Sequence, residues 1–114
     1  MLERLRAYHY DVIMLEKGRD VLDKAVAVQP DLIVLDQGMP DIPGLEVCRQ
    51  LKANPVTQPI PVVMFTCFTQ KGFEEKCVEA GILGIIYKPE VGELIQLIRK
   101  IFAGKKIVWG EEED

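Results

Sequence analysis

The chain has 114 residues, of which 48% are hydrophobic and 28% are charged, and this length and composition indicate a single globular domain. Its formal net charge of −4 argues against a general nucleic-acid binder, because no basic stripe is available to neutralise phosphates. The apolar runs are too short to cross a bilayer, and the charged N-terminus lacks the apolar core of a signal peptide, so we expect a cytoplasmic protein with no membrane contact. The three cysteines form no C-x-x-C pair, and we expect them to be reduced thiols.

Strands and helices alternate along the predicted chain. A short helix is predicted over residues 1–8. Short runs rich in Val and Ile then indicate buried strands at residues 12–15, 32–35, 62–65 and 82–87. Apolar residues at helical spacing follow the strands at residues 20–28, 45–51, 73–78 and 91–101. This alternation predicts right-handed crossovers and an α/β fold of three layers around a doubly wound parallel sheet.

Three polar residues directly follow or end successive predicted strands. They are Asp36, Thr66 and Lys88. Because the carboxyl ends of parallel strands lie along one edge of an open sheet, we expect the three side chains to lie together there. A carboxylate can attack phosphorus, an ammonium group neutralises phosphoryl oxygens and a hydroxyl donates a hydrogen bond to them. The missing requirement is a divalent cation such as Mg²⁺, which lets an anionic nucleophile approach an anionic donor.

Three segments carry a resemblance to a known family. They read PDLIVLDQGMPDIPGLEV at residues 30–47, IPVVMFTC at 60–67, and EAG at 79–81 followed by YKP at 87–89. From residue 2 to residue 104 the chain resembles the receiver domains of two-component response regulators. The resemblance implies a flavodoxin-like receiver fold with strand order 2-1-3-4-5. It also implies a cis peptide bond before Pro89.

The resemblance also implies a function. Asp36 would accept a phosphoryl group from a histidine kinase or a phosphotransfer protein, Thr66 would engage that group and Lys88 would balance its charge. The backbone carbonyl of Gly38 would join Asp36 as a ligand of Mg²⁺. Such a domain signals by conformational change and is no enzyme beyond catalysing its own phosphorylation and dephosphorylation.

The first departure from the family pattern concerns the first strand, which normally lies at the centre of the sheet and carries an acidic pair that holds the metal. No strand is predicted before Tyr10. Residues 105–114 contain basic residues, a short apolar run and then acids, so we hypothesise that residues 106–110 replace this strand, within the chain or by exchange in a homodimer. Glu111 and Glu112 would then be the metal-binding pair. The alternative is a receiver domain over residues 1–104 followed by an output linker.

The second departure lies three positions before Lys88, where receivers usually carry an aromatic switch residue. Ile85 occupies that position and Tyr87 directly precedes the lysine. We expect Ile85 to stay packed, which weakens the expectation of aromatic switching. The alternative function is therefore a pseudo-receiver that binds partners without being phosphorylated. Gln37, which follows Asp36, is expected to face the mouth of the site and to tune hydrolysis.

Overall fold

A computed structural model describes residues 11–101 and 106–110 of the chain. The helix expected over residues 1–8 and the acidic pair of Glu111 and Glu112 lie outside the described residues. Nine elements follow one another in the described part: β1 (Asp11–Leu15), α1 (Gly18–Val28), β2 (Leu32–Leu35), α2 (Gly44–Ala53), β3 (Val62–Thr66), α3 (Phe73–Ala80), β4 (Gly84–Tyr87), α4 (Val91–Ile101) and β5 (Lys106–Gly110).

The five strands form one parallel sheet in the order β1-β5-β2-β3-β4. Strand β5 pairs with β1 on one side, where Ile13 lies opposite Val108, and with β2 on the other, where Ile33 lies opposite the same residue. When β5 is counted as the first strand, this order is the 2-1-3-4-5 order that the family resemblance implied. The expected doubly wound receiver fold is confirmed, with the C-terminal segment as an interior strand between β1 and β2.

The interior position of β5 in the sheet is reflected in its burial. Ile107 and Val108 have no exposed surface, and they point to opposite faces of the sheet. At the end of the strand, Gly110 lies so close to α1 that an added Cβ would be 2.8 Å from Cγ2 of Val21. Without β5, strands β1 and β2 would each present an unpaired edge inside the molecule, which is costly because buried N–H and C=O groups require partners.

Helices cover both faces of the sheet and form two apolar clusters with it. The larger cluster joins α1, α2 and α3 to residues such as Ile33, Val62 and Val108. The second cluster joins α4, through residues that include Leu94 and Ile98, to the opposite sheet face. Strands β2 and β3 are buried along their whole length, as expected for a sheet covered on both faces.

Strand β4 differs from the sequence-based expectation in its start and in its burial. It begins at Gly84 rather than at residue 82, because Gly81 ends α3 in the left-handed region with a φ of 93° and the amide of Ile82 bonds to the carbonyl of Cys77. As an edge strand it is half-buried along its length rather than fully buried. Among the residues that the structure describes, no helix has both the length and the apolar character needed to cross a membrane.

Candidate functional site

The three polar residues singled out from the sequence meet at the carboxyl edge of the sheet. The hydroxyl of Thr66 donates to Oδ1 of Asp36 at 2.6 Å, and Nζ of Lys88 lies 2.8 Å from Oδ2 of the same carboxylate. The amide of Gly38 also donates to Oδ1, at 3.2 Å. One carboxylate is therefore held at both oxygens by groups from three separate segments of the chain.

Each of these side chains is positioned by the sheet. The amide of Asp36 donates to the carbonyl of Gly110 at 2.8 Å, which joins the residue to the end of β5. Thr66 ends β3, and its hydroxyl oxygen accepts a hydrogen bond from the amide of Phe68 at 3.1 Å, which orients the hydroxyl proton toward Asp36. The amide of Lys88 donates to the carbonyl of Thr66 at 3.0 Å, and the Lys88–Pro89 peptide bond is cis, as expected.

The surroundings keep the carboxyl group of Asp36 ionised. Partial burial by itself raises its pKa, but the hydrogen bonds from Lys88, Thr66 and Gly38, together with the positive charge of Lys88, outweigh this effect. The pKa of Asp36 therefore lies below its ordinary value of 3.8. An ionised carboxylate at neutral pH is the form that can act as a nucleophile.

A cleft of about 310 Å³ opens above this carboxylate. Its lining includes Gly38, Thr66, Cys67 and Phe68 beside Asp36. Residues 11–101 and 106–110 contain no group of three or more His, Cys, Asp or Glu side chains that could hold a metal ion. Of the oxygen donors expected for Mg²⁺, the Asp36 carboxylate borders the cleft. Strand β5 ends beside Asp36 at Gly110, and Gly110 precedes Glu111 in the sequence.

Gln37 does not have the environment expected from the sequence. Its side-chain oxygen Oε1 accepts a hydrogen bond from the amide of Leu45, in the first turn of α2, at 2.8 Å. The side chain contributes to a separate small cleft with Phe68, Lys71 and other residues, rather than to the cleft that contains Asp36. The expectation that Gln37 faces the mouth of the site was therefore wrong, because the start of α2 supplies a donor for its side-chain oxygen.

Asp41, in the loop that follows Asp36, is a residue that the sequence analysis did not single out. Its carboxylate accepts hydrogen bonds from the amides of Gly18 at 2.7 Å and Arg19 at 3.1 Å, so it caps the start of α1 from the loop between β2 and α2. The only sequence signal was an Asp in a turn-rich segment, and such a residue normally caps its own helix or turn. A cap separated from its helix by more than twenty residues leaves no local signature.

The position three residues before Lys88 behaves as expected. Ile85 is partly buried and packs against the larger core cluster. Tyr87 lies on the same face of β4, and its hydroxyl donates to the carboxylate of Glu74 in α3, which raises the pKa of the tyrosine to about 12. The aromatic residue of this strand thus contacts α3 at the surface.

The three cysteines are free thiols. Cys48 and Cys77 are buried, and burial raises the pKa of Cys48 to about 11, which leaves its thiol protonated and unreactive. Cys67 is exposed and lines the cleft next to Thr66. That the thiols are reduced stays a prediction from the sequence.

Known proteins resemble this chain in sequence and in fold. Residues 1–99 match the family described as the response regulator receiver domain. The polar-differentiation response regulator DivK of Brucella anthropi is 36% identical over 96 residues, which cover 83% of this chain and 78% of that protein. The chemotaxis protein CheY4 of Vibrio cholerae matches with a TM-score of 0.77 at 24% identity, over 85% of this chain and 82% of that one.

The receiver domain of the sensor histidine kinase PA1611 from Pseudomonas aeruginosa matches with a TM-score of 0.75 at 24% identity, over 87% of this chain and 83% of that one. These two structural likenesses concern the fold alone, whereas the family match and the DivK relative extend to sequence. The family match and the DivK relative, together with the sheet order and the cluster at its carboxyl edge, identify the chain as a receiver domain of the response regulator family of two-component signalling.

Proposed function

We propose that this receiver domain accepts a phosphoryl group on Asp36 from the phosphohistidine of a histidine kinase or phosphotransfer protein. The observation that carries the proposal is the carboxylate of Asp36, which is hydrogen-bonded at one oxygen by Thr66 and at the other by Lys88. Phosphoryl acceptance is typical of the family, and in this chain the hydroxyl of Thr66 and the positive charge of Lys88 each contact the Asp36 carboxylate.

The proposed reaction is a transfer between a nitrogen and an oxygen. An oxygen of Asp36 attacks the phosphorus atom, the P–O bond of an acyl phosphate forms, and the P–N bond to the donor histidine breaks with its electron pair passing to the ring nitrogen. Lys88 balances the charge of the phosphoryl oxygens, and the hydroxyl of Thr66 is released from the carboxylate to donate to one of them. The cleft of about 310 Å³ above Asp36 has room for this group.

Magnesium binding in this cleft is typical of the family, and a magnesium ion is coordinated in the active-site cleft of the PA1611 receiver domain. In this chain the carboxylate of Asp36 and the backbone carbonyl of Gly38 would hold Mg²⁺, with Glu111 and Glu112 as the acidic pair. All of these are hard oxygen donors of the kind that Mg²⁺ prefers. The cation would supply positive charge that lowers the repulsion between donor and acceptor.

The response to phosphorylation is proposed to travel through β4 and the helices beside it. Loss of the Thr66 and Lys88 contacts to the carboxylate would alter the end of β4, and Tyr87 at that end contacts α3. No effector activity is assigned, and catalysis is limited to the domain's own phosphorylation and dephosphorylation. A cytoplasmic location, a homodimer formed by strand exchange and the division into residues 1–104 and 105–114 stay predictions from the sequence.

Incubation of the protein with acetyl phosphate and Mg²⁺ tests this function. We expect the intact mass to increase by one phosphoryl group, and we expect Asp36→Asn to abolish the increase because an amide is no nucleophile toward phosphorus. Asp23→Asn, which changes an exposed carboxylate of α1, is the matched control and should be labelled like the original chain. Failure to label the original chain, combined with unchanged partner binding by Asp36→Asn, would instead establish the pseudo-receiver alternative.

A further inference from the structure

Helix α2 begins without a capping side chain of its own. The residue in the N-cap position is Pro43, which makes no side-chain hydrogen bond to the helix. The first amides of a helix have no partner within the helix, and a Ser, Thr, Asp or Asn at the N-cap normally accepts from one of them. Proline has no such acceptor, so the start of α2 requires an acceptor from elsewhere.

Gln37 supplies that acceptor twice. Its backbone carbonyl accepts from the amide of Gly44 at 3.1 Å, and its side-chain oxygen accepts from the amide of Leu45 at 2.8 Å. One residue therefore satisfies the first two amides of α2. The side-chain bond spans eight residues of sequence, and the loop from residue 37 to residue 43 is closed at its base by the pair of bonds.

The closed loop contains the groups on which the proposed chemistry depends. Asp36 directly precedes Gln37, and Gly38 directly follows it and donates to the Asp36 carboxylate. The approach of α2 to this loop is so close that a Cβ atom on Gly44 would collide with the backbone carbonyl of Asp36. A shift of Gln37 would therefore displace both Asp36 and Gly38, because a single peptide bond joins Gln37 to each of them.

Gln37 does not border the cleft that contains Asp36. We propose that Gln37 is a positioning residue, whose side-chain oxygen replaces the helix cap that Pro43 cannot provide and thereby holds Asp36 and the Gly38 carbonyl in place for the cation and the phosphoryl group. The inference rests on the proposed function. It differs from a role in hydrolysis, because Gln37 acts through the start of α2 and not on the phosphoryl group.

Variants of Gln37 and Pro43 test the inference with three measurements: hydrogen exchange of the Leu45 amide, Mg²⁺ affinity by calorimetry, and the rate of labelling by acetyl phosphate. In Gln37→Ala we expect the Leu45 amide to exchange about fivefold faster, as for the loss of a typical N-cap. We expect Mg²⁺ affinity and labelling rate to fall by a similar factor. Gln37→Glu keeps an acceptor oxygen at the same length and should keep the Leu45 amide protected.

Rescue separates positioning from a direct contact. Pro43→Ser alone should leave Mg²⁺ affinity and labelling unchanged, and adding it to Gln37→Ala should restore both, because serine at the N-cap accepts from the start of α2. If Gln37→Ala speeds exchange of the Leu45 amide without changing Mg²⁺ affinity or the labelling rate, Gln37 only stabilises the helix, and the proposal is overturned. The proposal would also be overturned if Pro43→Ser, added to Gln37→Ala, restored protection of the Leu45 amide but not Mg²⁺ affinity. That result would favour a direct contact of Gln37 with the site.

Failure of the proposed function would look different. An original chain that neither binds Mg²⁺ nor becomes labelled would remove the reaction that Gln37 is proposed to support. Exchange of the Leu45 amide would still report in that case whether Gln37 caps α2. The two failures are therefore read from different measurements.

Discussion

At the scale of single residues, the charge of Asp36 is governed by a balance between burial and hydrogen bonds. The side chain of Asp36 is 15% exposed and that of Lys88 is 21% exposed, so neither charge is fully removed from water. Burial favours the neutral acid, while Lys88, Thr66 and Gly38 all favour the carboxylate. The favourable contacts prevail, and the side chain of Asp36 is a carboxylate at neutral pH.

Replacement of Lys88 by Met should raise the pKa of Asp36, because the variant loses a hydrogen bond and a positive charge while burial remains. The side-chain carboxyl resonance of Asp36, followed through a pH titration by NMR, measures this change. Lys100→Met, which removes an exposed lysine of α4, should leave the titration unchanged. An unaltered pKa in Lys88→Met would contradict the assigned ion pair.

The lowered pKa of Asp36 also makes the stability of the folded chain depend on pH. The pKa of Asp36 in the folded chain lies below the ordinary value of 3.8, so its ionisation favours folding above that pH, and this contribution is lost as the pH falls through the folded pKa. Unfolding free energy measured against pH should therefore decrease more steeply in this acidic range for the original chain than for Lys88→Met.

At the scale of elements, the start of α2 is packed directly against the backbone of Asp36. Gly44 is buried there, and a methyl group at this position would meet the carbonyl group of Asp36. Gly92 provides a contrast in the first turn of α4, where an added Cβ has no neighbour within 4 Å among the residues that the structure describes. The two glycines occupy similar places in their helices and differ in what lies beside them.

Gly44→Ala should therefore lower the free energy of unfolding by about 1 to 3 kcal/mol, as for other overpacked sites. Gly92→Ala should raise it by about 0.5 to 1 kcal/mol, because alanine has the higher helix propensity and meets no obstacle in the described part of the chain. Urea unfolding of both variants checks the prediction. A Gly44→Ala variant as stable as the original chain would show that α2 can move away from Asp36.

At the scale of the whole molecule, both apolar clusters depend on β5. Val108 belongs to the cluster beneath α1, α2 and α3, and Ile107 belongs to the cluster beneath α4. The strand also carries the carbonyl of Gly110 that anchors the amide of Asp36. The strand therefore connects the stability of the sheet to the geometry of the site.

Ile107→Ala should lower the free energy of unfolding by about 2 to 5 kcal/mol, the range for a large aliphatic side chain truncated in a core. Val78→Ala is the surface control, since Val78 is 72% exposed, and should change stability by less than about 0.5 kcal/mol. Denaturant unfolding compares the two. A mild effect of Ile107→Ala, similar to that of Val78→Ala, would contradict an interior position for β5 between β1 and β2.

Much of the fold and the core of the site could be predicted from the chain alone. The alternation of apolar strands with amphipathic helices is local, and it placed Asp36, Thr66 and Lys88 at the same edge because parallel strands share their direction. The boundary of β4 was less accurate, since the amide of Ile82, the first residue of the apolar run assigned to the strand, bonds back to the end of α3 instead.

The sequence by itself determined the α/β class and the trio of Asp36, Thr66 and Lys88, because short-range periodicity and strand direction are sufficient for both. Only the tertiary structure decided where residues 106–110 lie, since parallel pairing with β1 and β2 joins segments that are far apart in the chain. It also decided that Gln37 bonds to the start of α2. Partners of that kind are selected by proximity in the folded molecule, and a linear pattern does not contain that proximity.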